Sequence, residues 1–307
     1  MGALVDPMAS VRAYLAAEKS SATRRAYKSD FDHYTAWCDT QQLQPLGTPP
    51  IDVARYLAQL ADGGLKTSTI VRRACAIRYV HKAAGLEPPT NAEGVKAVLR
   101  GIRRTLGARP LRKAPATAAA IAAMLEQLPT TLSGLRDRAL LLIGFAAALR
   151  RSELVDLKVN DVERRQRGVV LHIRRSKTDQ EGRGQSVPVP SGRALRPVEA
   201  LDAWLSAAGI VEGHLFRQVD RHGRVGARAL SGRSVARIVK RAAKAAGLDE
   251  STFSGHSPRA GFVTSALEDG VDALKVMQIT RHVDPKSLAA YDRRERELDD
   301  HAGKGFL

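Results

Sequence analysis

The segment that most constrains this chain is Arg100 to Lys113, RGIRRTLGARPLRK, which carries six basic residues and no acidic one. Gly107, Pro110 and the following Pro115 break any helix that enters it. A run of like charge with helix breakers cannot bury itself as a core, so it reads as a linker. The sequence on either side must then form its own core, and 307 residues suffice for two. The expected organisation is a helical domain at residues 9–106, a basic linker at 107–115 and a second domain at 116–307.

From Ala9 to Leu106 the apolar pattern is helical, with no strand-like alternation and with breaks at Pro45, Pro49-Pro50, Gly63-Gly64 and Pro88-Pro89. The helix after Ser20-Ser21 puts Tyr27, Phe31, Tyr34 and Cys38 on one stripe, with Arg24, Arg25, Lys28 and Asp32 elsewhere. Thr67 to Ala84 repeats the theme, with Ile70, Ala74, Ile77 and His81 on one side and Arg72, Arg73, Arg78 and Lys82 largely off it. These basic faces suit a polyanion, or are solvated surface. Beyond Pro115 the pattern is mixed. Helices are expected at Ala116–Leu128, Leu135–Leu149, Ala194–Ala208, Ser231–Ala246, Arg259–Glu268, Val271–Ile279 and Pro285–Glu295. A β-rich run at Val169–Ile173, a turn-rich stretch and a short segment at Gln185–Val189 read as one hairpin. The fold class is therefore mainly α with a small antiparallel β-sheet in the C-terminal domain.

Lys and Arg outnumber Asp and Glu by 49 to 32, a formal charge of +17, so the natural partner is a nucleic acid or an acidic membrane surface. The basic residues are spread over several helices instead of forming one amphipathic anchor, which disfavours the membrane. The longest apolar run, Ala139 to Leu149, is eleven residues, too short for a bilayer span. With no secretory signal at its start the chain is expected in the cytoplasm, and on the nucleoid if bacterial. Cys38 and Cys75 lack metal-ligand spacing and are expected to be reduced, buried thiols without chemistry.

Four local patterns in the second domain can carry chemistry. Arg150 and Glu153, in Ala148-Leu149-Arg150-Arg151-Ser152-Glu153-Leu154, are three apart and can brace each other on one helical face, or form an ordinary surface pair. Lys177 follows Arg174-Arg175-Ser176 in the hairpin loop, where most lysines are simply solvated. In His256-Ser257-Pro258-Arg259 the proline suits a first helical turn, so backbone donors, a guanidinium and an imidazole can converge on one anion. Arg281-His282 precede Tyr291, the only tyrosine after Tyr79. A metal site at His256 and His282 is opposed by the lack of carboxylate or Cys at ligand spacing and by the nearby arginines.

In this order, an Arg in Leu-Arg-x-Ser-Glu-Leu, a hairpin Lys, a His-x-x-Arg, a later His and then a Tyr, the second domain closely resembles the catalytic domain of the tyrosine recombinases, the family of phage integrases, bacterial dimer resolvases and Cre-like enzymes. The helical bundle resembles the family's core-binding domain more loosely. The resemblance implies that Arg150 and Arg259 bind the scissile phosphate, that Glu153 supports them, that His256 is the base and Lys177 the general acid, that His282 donates to the phosphate, and that Tyr291 is the nucleophile. It implies cleavage and rejoining of DNA through a 3′-phosphotyrosyl bond without metal, ATP or other cofactor, in agreement with the lack of a G-x-x-x-x-G-K-[ST] loop. Implied partners are double-stranded DNA with paired half-sites and, on that DNA, a homotetramer of chains that are monomers when free. Arg24, Arg25, Lys28, Arg72, Arg73, Arg103, Arg104, Arg109, Arg112 and Lys113 are the expected DNA contacts. Two other readings share much of this pattern: a type IB topoisomerase, which reseals the original strand, and a non-catalytic DNA-binding relative. Where the family often has Gly before the first Leu-Arg and before the late His, this chain has Ala148 and Arg281.

Overall fold

In the computed structural model the described residues are 10, 14, 18–107, 113–174, 184–282 and 284. The chain divides into two compact units, Met1–Leu111 and Arg112–Leu307. The first holds helices α1 (Ser21–Thr40), α2 (Pro50–Asp62), α3 (Thr67–Ala83) and α4 (Glu93–Leu106). Ser20 starts α1 by accepting the Thr23 N–H on its hydroxyl, and Pro50 begins α2, where its missing N–H costs nothing. Gly107, at φ +73°, ends α4.

The helical stripes read from sequence face the core of this unit. Tyr34, Cys38, Ile70, Ala74, Ile77 and His81 are all buried, and Tyr34 meets the Tyr56 ring edge-on at 5.0 Å between centroids. His81 is a satisfied core histidine: its Nδ1 bonds the Ile77 carbonyl at 2.9 Å, and its Nε2 accepts the Gly47 N–H. Cys75, expected to be buried, is exposed, because α3 turns only Ile70, Ala74, Ala76, Ile77 and His81 inward.

The second unit carries α5 (Ala118–Glu126), α6 (Leu132–Ala146), α7 (Arg151–Asp156), β1 (Val162–Arg165), β2 (Gly168–Ile173), β3 (Gln185–Pro190), α8 (Pro197–Ala207), β4 (Arg217–Val219), β5 (Val225–Ala229), α9 (Gly232–Ala245), α10 (Ser257–Glu268) and α11 (Ala273–Thr280). Helix α6 is apolar on nearly every face, so it must be enclosed, and Ala139 through Ile143 are buried at the centre of the core. Strands β1, β2 and β3 form an antiparallel sheet in that order. Its period-2 face puts Val169, Leu171, Ile173, Val187 and Val189 on the same core.

Two expectations need correction. The helix read over Leu135–Leu149 ends at Ala146, because Ala148 takes the left-handed conformation at φ +45° and the chain turns a corner into α7. The single hairpin is joined by a second sheet, in which β4 pairs antiparallel with β5. Both of these strands are largely solvent-facing, so no apolar alternation marks them; their turn is set by Asp220, whose Oδ1 accepts the N–H groups of His222 and Arg224.

Residues 113–118 lie along the segment that leads into α10 and along α10 itself. The Ala114 N–H donates to Thr252 O at 2.7 Å, Ala116 N–H to Ser257 O at 2.9 Å, Ala118 N–H to the Ser265 hydroxyl at 2.9 Å, and Lys113 Nζ to Ser251 O at 2.8 Å. The approach is so close that a Cβ on Gly261 would sit 1.6 Å from the Ala116 oxygen, which only glycine avoids.

Candidate active site

The corner between α6 and α7, the start of α10 and the end of α11 bring five of the sequence-selected residues together. Arg150 caps α7, and Glu153 reaches back to it twice: Oε2 accepts the Arg150 backbone N–H at 2.9 Å and Oε1 accepts Nη1 at 2.8 Å. The pair is not an ordinary surface contact, because the Glu153 side chain is 1% exposed and that of Arg150 14%.

Ser254-Gly255-His256-Ser257 forms a tight turn in which the Ser254 N–H donates to the Ser257 hydroxyl and the Ser257 N–H returns to Ser254 O. The turn leaves His256 exposed and sends Arg259, 1% exposed, into the interior. There the Arg259 fork joins the other two segments. Nη1 donates to Ala148 O at 2.6 Å, while Nη2 donates to Thr280 O and, at 3.2 Å, to Nε2 of His282.

These bonds decide the His282 tautomer. Since Arg259 can only donate, Nε2 of His282 is the acceptor and the ring proton sits on Nδ1, which donates to the Thr280 hydroxyl at 2.8 Å. Thr280 Oγ1 in turn donates to Val276 O at 2.8 Å. Lost hydration, then the charges of Arg259, Arg150, neighbouring His256 and Arg281, pull His282 down to about 4. His256 is also held below the ordinary imidazole range, first by the protein packed around its inner edge and then by Arg259, Arg150 and Arg151. Both rings are neutral near pH 7.

The sign of the resulting pH dependence follows from proton uptake. Between the ordinary value of 6.5 and about 4 the unfolded chain binds a proton at residue 282 that the folded chain does not, so stability is complete above about pH 6.5 and falls as the pH drops through that window. His256 acts in the same direction. Urea midpoints measured across the window should fall more steeply for the wild type than for His282→Asn; parallel curves would contradict the assignment.

A residue noted in the sequence only as a departure from glycine proves to belong to the network. Arg281 closes α11 in the left-handed region at φ +58°, and its Nη2 donates to Glu153 Oε2 at 2.5 Å. Ala148 and Arg281 thus both occupy backbone that glycine adopts freely and other residues at some cost. That cost was the signal available in the sequence: a position where relatives favour glycine is a candidate for positive φ. Arg281 Nε and Nη1 are buried without a hydrogen-bond partner among the described residues.

Lys177 and Tyr291 lie outside the described residues, as do Arg109 and Arg112. At the root of the Lys177 loop, Arg174 Nε bonds Asp161 Oδ1, whose other oxygen accepts the Lys158 N–H. Among the other expected DNA contacts, Arg24, Arg25, Arg103 and Arg104 are exposed, and Lys28 is exposed in an ion pair with Asp32. Arg72 is engaged by both oxygens of buried Asp30, and Arg73, 14% exposed, lies against His33. Lys113 is tied to Ser251.

Comparison with known proteins bears on both units. The model of the phage integrase family matches residues 116–297, and that of the phage integrase N-terminal SAM-like domain matches residues 12–87. An integrase/recombinase xerD homolog of Selenomonas ruminantium is 36% identical over 95% of this chain and 88% of its own length. The recombinase cre of Escherichia phage P1 is 26% identical over 80% of this chain and 76% of its own. Among solved structures, a lambda integrase dimer bound to a COC′ core site shares the fold with a TM-score of 0.62, at 18% identity over 94% of this chain and 77% of that one. XerH recombinase in a post-cleavage complex with difH substrate does so with a TM-score of 0.60, at 18% identity over 84% and 72%.

Proposed function

The chain belongs to the phage integrase family and is a tyrosine-type site-specific recombinase, and on that premise we propose that it cuts and rejoins DNA through a covalent phosphotyrosyl intermediate. The observation that carries the proposal is the cluster that three separate segments bring together: Arg150 and Arg281 on the Glu153 carboxylate, and Arg259 on His282.

In this reading the Tyr291 oxygen attacks a DNA phosphorus. A phosphorus–oxygen bond to tyrosine forms at the 3′ side, and the bond to the 5′ oxygen breaks. A free phenol has a pKa of about 10 and needs a base. His256, neutral near pH 7 and exposed, takes the phenolic proton, and Lys177 supplies one to the departing 5′ oxygen. Arg150 and Arg259 neutralise the charge that grows on the non-bridging oxygens, the role a metal ion fills elsewhere. His282 donates to the same phosphate once the arriving anion favours a proton on Nε2, the atom that accepts from Arg259 in the free protein. The 5′ hydroxyl of a second strand then attacks the phosphotyrosine and releases Tyr291. One ester replaces another, so neither ATP nor metal is needed.

The partner is double-stranded DNA bearing paired half-sites, on which four chains assemble from monomers. Arg24, Arg25, Lys28, Arg103 and Arg104 hold the phosphate backbone, and Arg72 and Arg73 join them by exchanging protein partners for phosphate.

The test is a nicked suicide duplex carrying the genomic flanks of the gene, analysed on a denaturing gel. The wild type should form a protein–DNA adduct and Tyr291→Phe none; an adduct that survives the substitution refutes the assignment.

A further inference from the structure

We propose that Arg151 is a preset contact for a DNA phosphate flanking the scissile one; the proposal extends the recombinase reading above and rests on it. Arg151 is the first residue of α7, next to Arg150, and is exposed. Its side chain runs between two glycines from different segments. A Cβ on Gly232, at the start of α9, would lie 2.8 Å from Arg151 Nε and 3.2 Å from Cδ. A Cβ on Gly255, the residue before His256, would lie 2.8 Å from Arg151 Cδ. Neither glycine has a left-handed backbone, so what each contributes is room. The two form a slot that an arginine stem fills, fixing the direction in which its guanidinium leaves the surface.

Among the described residues this cation has no counter-charge. No hydrogen bond or ion pair joins Arg151 to any described residue. Nearby, Arg150 and Arg281 already share the carboxylate of Glu153. Among the described residues, the three guanidinium groups of Arg150, Arg151 and Arg281 against the one carboxylate of Glu153 leave a surplus that a single scissile phosphodiester, with one negative charge, does not balance. DNA presents its phosphates in series, and a cation held beside His256 meets the neighbour of whichever phosphate Arg150 and Arg259 hold. A long arginine normally loses side-chain freedom on binding; here the slot has already removed it, so more of the contact's energy appears as affinity.

Each phosphate contact changes the salt dependence of binding, a readout that a purely structural residue does not move. With a mixed-sequence DNA duplex as probe, Arg151→Gln should lower affinity about tenfold at moderate salt and reduce the slope of log K against log salt by about 0.9. Arg151→Lys, which keeps the charge, should recover most of the slope. Gly232→Ala should weaken binding by a smaller factor, since its Cβ displaces the guanidinium without removing it. Thermal midpoints of the exposed-site variants should match the wild type, which separates lost contact from lost fold. Wild-type affinity and slope in Arg151→Gln would overturn the proposal. Failure of the wild type to form a Tyr291-dependent adduct would instead overturn the recombinase chemistry, while the slope comparison would still decide whether Arg151 touches phosphate.

Discussion

Replacing Arg259 with lysine should cut the rate of adduct formation by about 10²–10³-fold, the loss expected when a preorganised donor to a developing oxyanion is removed. The positive charge survives this substitution, so the loss measures geometry. A guanidinium reaches Ala148 O, Thr280 O and His282 at once because its donors are fixed in one plane; an ammonium on a shorter stem cannot. Stability should fall too, by about 2 kcal/mol, for the buried carbonyl left without a donor. Single-turnover cleavage at saturating DNA is the measurement, and cleavage by Arg259→Lys at a rate near the wild type's would show that Arg259 does not hold the scissile phosphate.

Glu153→Gln should be the costliest substitution for stability, at about 3–5 kcal/mol in chemical denaturation. The carboxylate is buried between two arginines, Arg150 on Oε1 and Arg281 on Oε2. Glutamine keeps the shape and removes the charge, leaving two guanidinium groups in mutual repulsion. If that account holds, adding Arg281→Gly to Glu153→Gln should restore part of the loss, because it removes one unpaired cation and gives the left-handed position the residue that tolerates it best. Losses that simply add would mean that Arg281 and Glu153 are not coupled.

The sequence revealed those features whose cause is local. The stripe Ile70, Ala74, Ile77 and His81 is buried throughout because helical period alone places it. The hairpin of β2 and β3 was legible in its β-branched alternation, and the Arg150–Glu153 brace in its spacing. The rest depends on partners distant in sequence. Nothing near Asp30 announces that Arg72, 42 residues on, will hold it below the surface. Strands β4 and β5 escaped because they bury little apolar surface. The role of Arg281 is invisible until its backbone conformation is known, since the same arginine on an ordinary helical turn would have no reason to meet a carboxylate 128 residues earlier.

The strap at residues 113–118 gives the second unit a mechanical property. Its hydrogen bonds go to Ser251, Thr252, Ser257 and Ser265, and its backbone presses on Gly261, so it is fastened to the stretch of chain that carries His256 and Arg259. A displacement of Lys113 is therefore passed to α10 as well as to the apolar core, in which Ala116 is itself buried. Strain imposed on this end of the unit is felt at the His-x-x-Arg turn as a change in position.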